Sequence, residues 1–176
     1  MDLNSILSQL GAGSKDTVYL SITPGIGLEL IQLDISSRSV KNYAFRPLEY
    51  NDSLREPADY EAFKEAVTEL FAELRINIKS NVVLNLPMVL FGSKELPLLL
   101  ADDAVSEALT SEVEQSYIFK RYEPVISWTD SNNAQSGDMR KLFYSAVQKN
   151  VIENLKNALS ELGATLSGVE MSLTSI

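Results

Sequence analysis

The chain contains no cysteine and no histidine. The first absence excludes disulfides, thiol nucleophiles and cysteine-ligated zinc. The second removes imidazole, so neither Ser-His-Asp nor Cys-His catalysis can be assembled from this chain. General-base chemistry near neutral pH loses its usual carrier with it. A metal site built from carboxylates alone stays open. Cations are scarce too: 15 Lys and Arg stand against 24 Asp and Glu, a net charge of −9. Such a surface repels nucleic-acid backbone and anionic lipid alike, so neither is an expected partner. Lys120-Arg121 and Arg140-Lys141 are isolated pairs rather than a basic stripe. Long apolar runs are also missing. The longest, residues 86–91 and 96–101, fall far short of the roughly 20 residues that cross a bilayer. Residues 1–10 carry Asp2 and no basic residue, so they lack the cationic start of a secretory signal. The expectation is a cytoplasmic protein, in which the sequon Asn51-Asp52-Ser53 is simply loop.

What remains is ordinary globular material. With 176 residues, 45% hydrophobic and 22% charged, the chain suffices for one domain or two small subdomains with a real core. Residues 1–10 place Leu3, Ile6, Leu7 and Leu10 on one helical face before Gly11-Ala12-Gly13-Ser14 breaks it. That reads as a short helix on its own domain, with a docking helix for a partner as the alternative. Residues 18–22, 28–34 and 40–45 read as a meander of strands, turned at Pro24-Gly25-Ile26-Gly27 and Ser36-Ser37-Arg38. Residues 47–57 read as a polar loop. Residues 59–76 carry the clearest helical period, with Tyr60, Phe63, Val67, Leu70, Phe71 and Leu74 on one face. Glu61, Glu65, Glu69 and Glu73 lie on another face and read as solvated.

Residues 82–86 are almost wholly apolar, which suits a central buried strand. Residues 89–95 read as a strand, and Asp102 or Asp103 as the cap of the next helix, in which Val105, Leu109, Val113 and Tyr117 recur every four residues. Residues 124–128 and 142–147 are strands flanking a polar loop at 131–137. Residues 151–162 form a helix with Ile152, Leu155 and Leu159 inward and Gly163 at its end, and residues 165–173 a last strand. The predicted class is α/β, a mixed sheet with helices. Gly11 to Lys15 lacks the spacing of a phosphate-binding GxxxxGK[ST] loop and precedes a strand instead of a helix. The adjacent Asp102 and Asp103 suit a helix start better than a metal. Tyr117, Phe119, Tyr122 and Trp128 read as core, with an exposed docking patch as the alternative.

Residues 82–128 have a distinctive spelling. The strand Val82-Val83-Leu84-Asn85-Leu86-Pro87 ends in Leu-Pro, and a later helix closes in Glu112-Val113-Glu114-Gln115-Ser116-Tyr117-Ile118-Phe119 before the strand Pro124-Val125-Ile126-Ser127-Trp128. This order resembles the PilM family, the cytoplasmic actin-like proteins of type IV pilus assembly. In that family a Leu-Pro strand end is followed by a helix closing in a pattern close to E-x-E-Q-Y-I-P-F. Ser116 is an extra residue here, and Lys120 stands in place of the helix-ending proline region. The resemblance implies half of an actin-like (ribonuclease H-like) fold. Subdomain 1A would comprise residues 17–87 and 164–176, and a small inserted α+β subdomain, 1C, residues 88–163. Residues 1–16 would be an N-terminal helix or linker. It also implies a partner: the short cytoplasmic tail of a PilN-like membrane protein, held in a groove between 1A and 1C. Leu84, Leu86, Tyr117 and Phe119 would contribute to that groove's walls. Other pilus or secretion platform proteins would be neighbours, and the inner-membrane face would be reached only through partners.

Actin-like ATPases hold nucleotide partly with a D-x-G hairpin after the first strand. Its acid bears on the metal and water, and its glycine lets backbone N–H groups approach phosphate. The corresponding stretch by resemblance is Ser21-Ile22-Thr23-Pro24-Gly25. Ser21 stands where the acid belongs, Thr23 where the glycine belongs, and Pro24 has no N–H to offer. The chain also ends where the second half of an actin-like pair would begin. The expectation is therefore a non-catalytic scaffold with no catalytic residue, no metal and no cofactor. One alternative is an ATPase that uses ATP and magnesium with a second half outside this chain. The other is the cytoplasmic scaffold domain of a type II secretion or cell-division machine.

Overall fold

The structure is a computed structural model that describes residues 17–34, 37, 39–51, 56–87, 90–131 and 138–172. The helix expected at residues 1–10 lies outside the described residues, as do residues 132–137 of the polar loop. In chain order the elements are β1 (Thr17–Thr23), β2 (Gly27–Asp34), β3 (Ser39–Arg46), β4 (Tyr50–Asn51), β5 (Glu56–Pro57), α1 (Tyr60–Glu73), β6 (Asn81–Pro87), β7 (Leu90–Pro97), α2 (Asp102–Glu114), a 3-10 turn (Tyr117–Phe119), β8 (Pro124–Asp130), β9 (Met139–Gln148), α3 (Lys149–Glu161) and β10 (Thr165–Ser172). They divide into two compact units, Met1–Pro87 with Asn154–Ile176, and Met88–Glu153. The sequence reading placed the return to the first unit at residue 164. The contacts place it inside α3, at Asn154, so that this helix is shared.

The first unit is a five-stranded sheet in the order β10-β6-β1-β2-β3. The first three strands form the antiparallel meander, while β6 runs parallel to β1 and β10 parallel to β6. The apolar run of β6 thus sits between two parallel neighbours, where both faces of a strand tend to be covered. The segment expected as polar loop contains the short pair β4–β5. Helix α1 starts cleanly because the Asp59 carboxylate accepts the Glu61 N–H at 2.8 Å. Its Phe63, Val67, Leu70 and Phe71 are buried together with Val18, Leu20, Leu28 and Leu30 of the sheet and Leu155 and Leu159 of α3. Lys64 of α1 pairs with Glu161 of α3 at 2.7 Å, so the two helices lie side by side on one face of the sheet.

The glutamates of α1 are exposed, as the sequence suggested, and three of the four are also ion-paired. Glu61 pairs with Lys64, while Glu69 and Glu73 both pair with Arg46 of β3 at 2.7 and 2.5 Å. The helical spacing reveals the glutamates but not the arginine, which arrives through the fold from a strand edge. Carboxylates in the last turn of a helix oppose its dipole, and Arg46 offsets that.

The second unit is the antiparallel sheet β7-β9-β8 with α2 packed on one face. Its core joins Leu96, Val105, Leu109, Val113, Phe119, Leu142, Tyr144 and Ala146. Asp102 and Asp103 do not cap α2 as expected. The N-cap is Ala101, with no side-chain cap bond, and the two aspartates occupy the first turn, where the helix dipole favours them. Among the described residues no helix is long and apolar enough to cross a membrane.

Candidate functional site

The hairpin between β1 and β2 is closed by the Ile26 N–H on the Thr23 carbonyl at 3.0 Å. Pro24 and Gly25 are its central residues, and Gly25 has φ +75°. That is the residue order of a type II turn, which needs positive φ at its third position. Gly27 is also required: a Cβ there would lie 2.2 Å from the Arg46 carbonyl oxygen. Both glycines therefore have structural reasons to be present. Ser21 and Thr23 face outward from the sheet with their hydroxyls engaged. Asn85 donates to Ser21 at 3.2 Å, and Thr23 donates to Glu29 at 3.2 Å. Tyr43 donates to the second oxygen of Glu29 at 2.9 Å, and that bond raises the phenol's pKa.

A carboxylate does stand near the hairpin, but it is Glu29 on β2, directly opposite Ser21 in the ladder. Both of its oxygens are taken by hydroxyl donors. Beside the hairpin lies a shallow depression of about 490 Å³, lined by Gly25, Ile26, Leu48, Tyr50 and Ala58 with Glu49 as its charged member. Among the described residues lining it there is no cation to hold a phosphate. Nor do the described residues contain a cluster of three or more acidic side chains able to hold a metal ion.

The four residues expected at a partner groove have different surroundings. Leu84 (0% exposed) and Leu86 (3%) are interior side chains of β6 in the first unit. Phe119 (3%) is part of the second unit's core. Tyr117 is 87% exposed, with the Lys120 ammonium 5.9 Å from its ring centre. Only Tyr117 offers its side chain to a ligand. Of the other aromatics in that stretch, Trp128 packs against the core with the Arg140 guanidinium 5.8 Å over its ring.

One cluster escaped the sequence reading. Glu112 on α2 pairs with Lys94 on β7 and accepts a hydrogen bond from Tyr144 on β9. Lys94 holds the Glu112 carboxyl below its ordinary range, and burial pushes the Tyr144 phenol up to about 12. These perturbed groups tie a helix to a sheet rather than line a cleft. Glu112 was visible in the sequence as part of the closing motif, but its partners are strand residues far along the chain.

No family profile matches the chain, and no curated protein does. Solved structures do. A chain of the PilM-PilN type IV pilus biogenesis complex superposes with a TM-score of 0.69 over 89% of this chain, at 21% sequence identity. The chain carries half of an actin-like fold. It spans 47% of the length of that matched chain. The cytoplasmic domain of EpsL, an inner membrane component of the type II secretion system of Vibrio cholerae, aligns with a TM-score of 0.46 at 11% identity. That alignment covers 88% of this chain and 54% of the other.

Proposed function

We propose that this chain is a non-catalytic, cytoplasmic adaptor in a type IV pilus or related inner-membrane secretion platform, and that it holds the cytoplasmic tail of a PilN-like membrane protein. The observation that carries the reading is the fold shared with a chain of a PilM-PilN complex, joined to a hairpin that lacks an acid at Ser21. The hairpin supports the non-catalytic part. Its hydroxyls are spent on Asn85 and Glu29, and its flanking depression carries negative charge. Among the described residues there, no acidic cluster offers a ligand set to a magnesium-bound phosphate, and the phosphate would meet like charge. The surface tyrosine, Tyr117, is the side chain through which the second unit can grip an extended tail. A fluorescein-labelled PilN-type tail peptide, titrated with the protein and followed by anisotropy, tests the reading. Saturable binding that Tyr117→Ala weakens at least tenfold, with an unchanged melting temperature, is the expected result. A flat titration would contradict it.

A further inference from the structure

Leu98 and Leu99 break a local rule. They are the central residues of a turn that the Leu100 N–H closes on the Pro97 carbonyl at 3.1 Å. Turn centres are ordinarily Gly, Pro, Asn, Asp or Ser, which serve the backbone and sit comfortably in water. Here the flanking leucines do the burying: Leu96 is interior, and Leu100 packs against the second unit's core. Between them Leu99 is 96% exposed and Leu98 39%. Pro97 pairs with Met139, itself 37% exposed, so Leu98, Leu99 and Met139 share one end of the sheet. A departure from local preference that brings no burial in return is a mark of function.

The turn is held in place. The Leu98 N–H donates to the Asp138 carbonyl at 2.7 Å. The Arg140 guanidinium donates to the Leu100 carbonyl at 2.8 Å, pairs with Asp130 at 3.3 Å and lies over the Trp128 ring. An apolar protrusion fixed in this way loses little freedom on docking, which suits it to be the anchor of an interface. Its place within the second unit is also defined. The chain enters that unit at Met88 and leaves it at Glu153. Strand β7 leads away from the entry and β9 leads back toward the exit, so the Pro97–Met139 pair closes the end remote from both. Helix α2 starts at this end, and its 13 residues carry the chain about 20 Å before Tyr117 is reached.

Charge selects the occupant. The turn is collared by exposed acids: Asp102 and Asp103 in the first turn of α2, and Asp138 beside Met139. The neighbouring cations are engaged within the unit. Arg140 faces Asp130 and Asp102 and is little exposed, and Lys94 pairs with Glu112. Anionic lipid would be repelled, and a second copy's turn would bring the same collar against this one. A basic surface would be drawn in. We propose that the Leu98–Leu99 turn anchors a protein interface, its leucines seated on an apolar surface of the partner that is edged by lysine or arginine facing Asp103 and Asp138. The site lies at the other end of α2 from Tyr117 and does not depend on the tail-binding reading.

The test uses a synthetic helix-forming peptide of about 18 residues, five turns long, with leucines at i, i+3, i+4, i+7 spacing and lysines on the flanks. Its twin carries glutamates in place of the lysines. Methyl NMR titration of the full chain is expected to show at least tenfold tighter binding of the lysine peptide, with the shifts centred on Leu98, Leu99 and Met139. Leu99→Ser should weaken that binding at least tenfold at an unchanged melting temperature, because the side chain it alters already lies in water. Asp103→Asn with Asp138→Asn should abolish the preference between peptides, and Tyr117→Ala should leave it intact. Equal affinity for the two peptides, shifts centred elsewhere, or indifference to Leu99→Ser would overturn the proposal. Protection of the Leu99 methyls from a soluble gadolinium chelate in the free protein would show that the chain itself covers the turn, and would overturn it too. So would a dimer in sedimentation, or binding to phosphatidylglycerol vesicles, that Leu99→Ser abolishes.

Discussion

Tyr144 donates a hydrogen bond to Glu112 at 2.9 Å, and its ring lies directly over Gly92. A Cβ at position 92 would sit 2.4 Å from the phenol's Cζ and Oη. The bare glycine on β7 is thus what lets a tyrosine of β9 reach across the sheet to a helix carboxylate. With Lys94 on the same carboxylate, the arrangement clamps α2 to two strands.

Gly92→Ala should consequently lower the stability of the second unit by about 1–3 kcal/mol, the usual range for overpacking. The ring has to move, and the bond to Glu112 is lost with it. In a Tyr144→Leu background the same substitution should cost much less, because the clashing ring atoms are gone. Urea midpoints of the four proteins measure the coupling. Additive losses would show that Gly92 and Tyr144 act independently.

The Glu112 carboxyl is held below its ordinary value of 4.5, chiefly by Lys94 and then by Tyr144. Its contribution is complete above that ordinary value and disappears as pH falls through the lower folded value. The side chain is about a third exposed, so solvent screening keeps the contribution to about 0.5–1 kcal/mol. Thermal melts between pH 6 and pH 3 should show a steeper loss for the wild type than for Glu112→Gln. Parallel curves would rule out this linkage.

The two hairpin glycines should differ sharply. Gly27→Ala drives a Cβ against the Arg46 carbonyl oxygen, backbone that cannot step aside, at φ +146°. A loss of about 2 kcal/mol or more is expected from this clash and strain. Gly25 has open space around it and φ +75°, a left-handed conformation that asparagine tolerates. Gly25→Asn should change stability by less than about 1 kcal/mol. Chemical denaturation of both variants checks the ranking.

Placing an acid at the hairpin should not create a nucleotide site. Ser21→Asp places a carboxylate directly opposite Glu29 and replaces the hydroxyl that accepts from Asn85. Like charges paired across a ladder are destabilising. The melting temperature should fall by several degrees, and magnesium-ATP should produce no heat of binding. Recovery of stability on adding magnesium-ATP would contradict this.

Much of the first unit was legible in the sequence because its signals are local. The meander announces itself through Pro24-Gly25 and alternating strands, α1 through Asp59 and its apolar spacing, and β6 through an unbroken apolar run. The fold follows the resemblance carried by residues 82–128, and the likeness to a PilM-PilN complex chain agrees with it. What was hidden depends on pairings between distant residues. Nothing in the order of amino acids says that Arg46 will meet Glu69 and Glu73, or that Tyr144 will reach Glu112 over Gly92. The bulge that Lys41 makes in the β2–β3 ladder is equally silent in sequence. At the candidate site, the sequence showed a serine at position 21 but not Glu29 across the ladder. It named four groove residues of which three, Leu84, Leu86 and Phe119, are interior, since apolar spelling does not distinguish a wall from a core.

The central claim is that this half of an actin-like fold grips a partner's tail without using nucleotide. Calorimetric titration of a PilN-type tail peptide into the protein, with and without magnesium-ATP, tests it most directly. The account predicts the same saturable affinity in both titrations and no heat from magnesium-ATP alone. A measurable nucleotide affinity, or a tail that binds only when nucleotide is present, would contradict it.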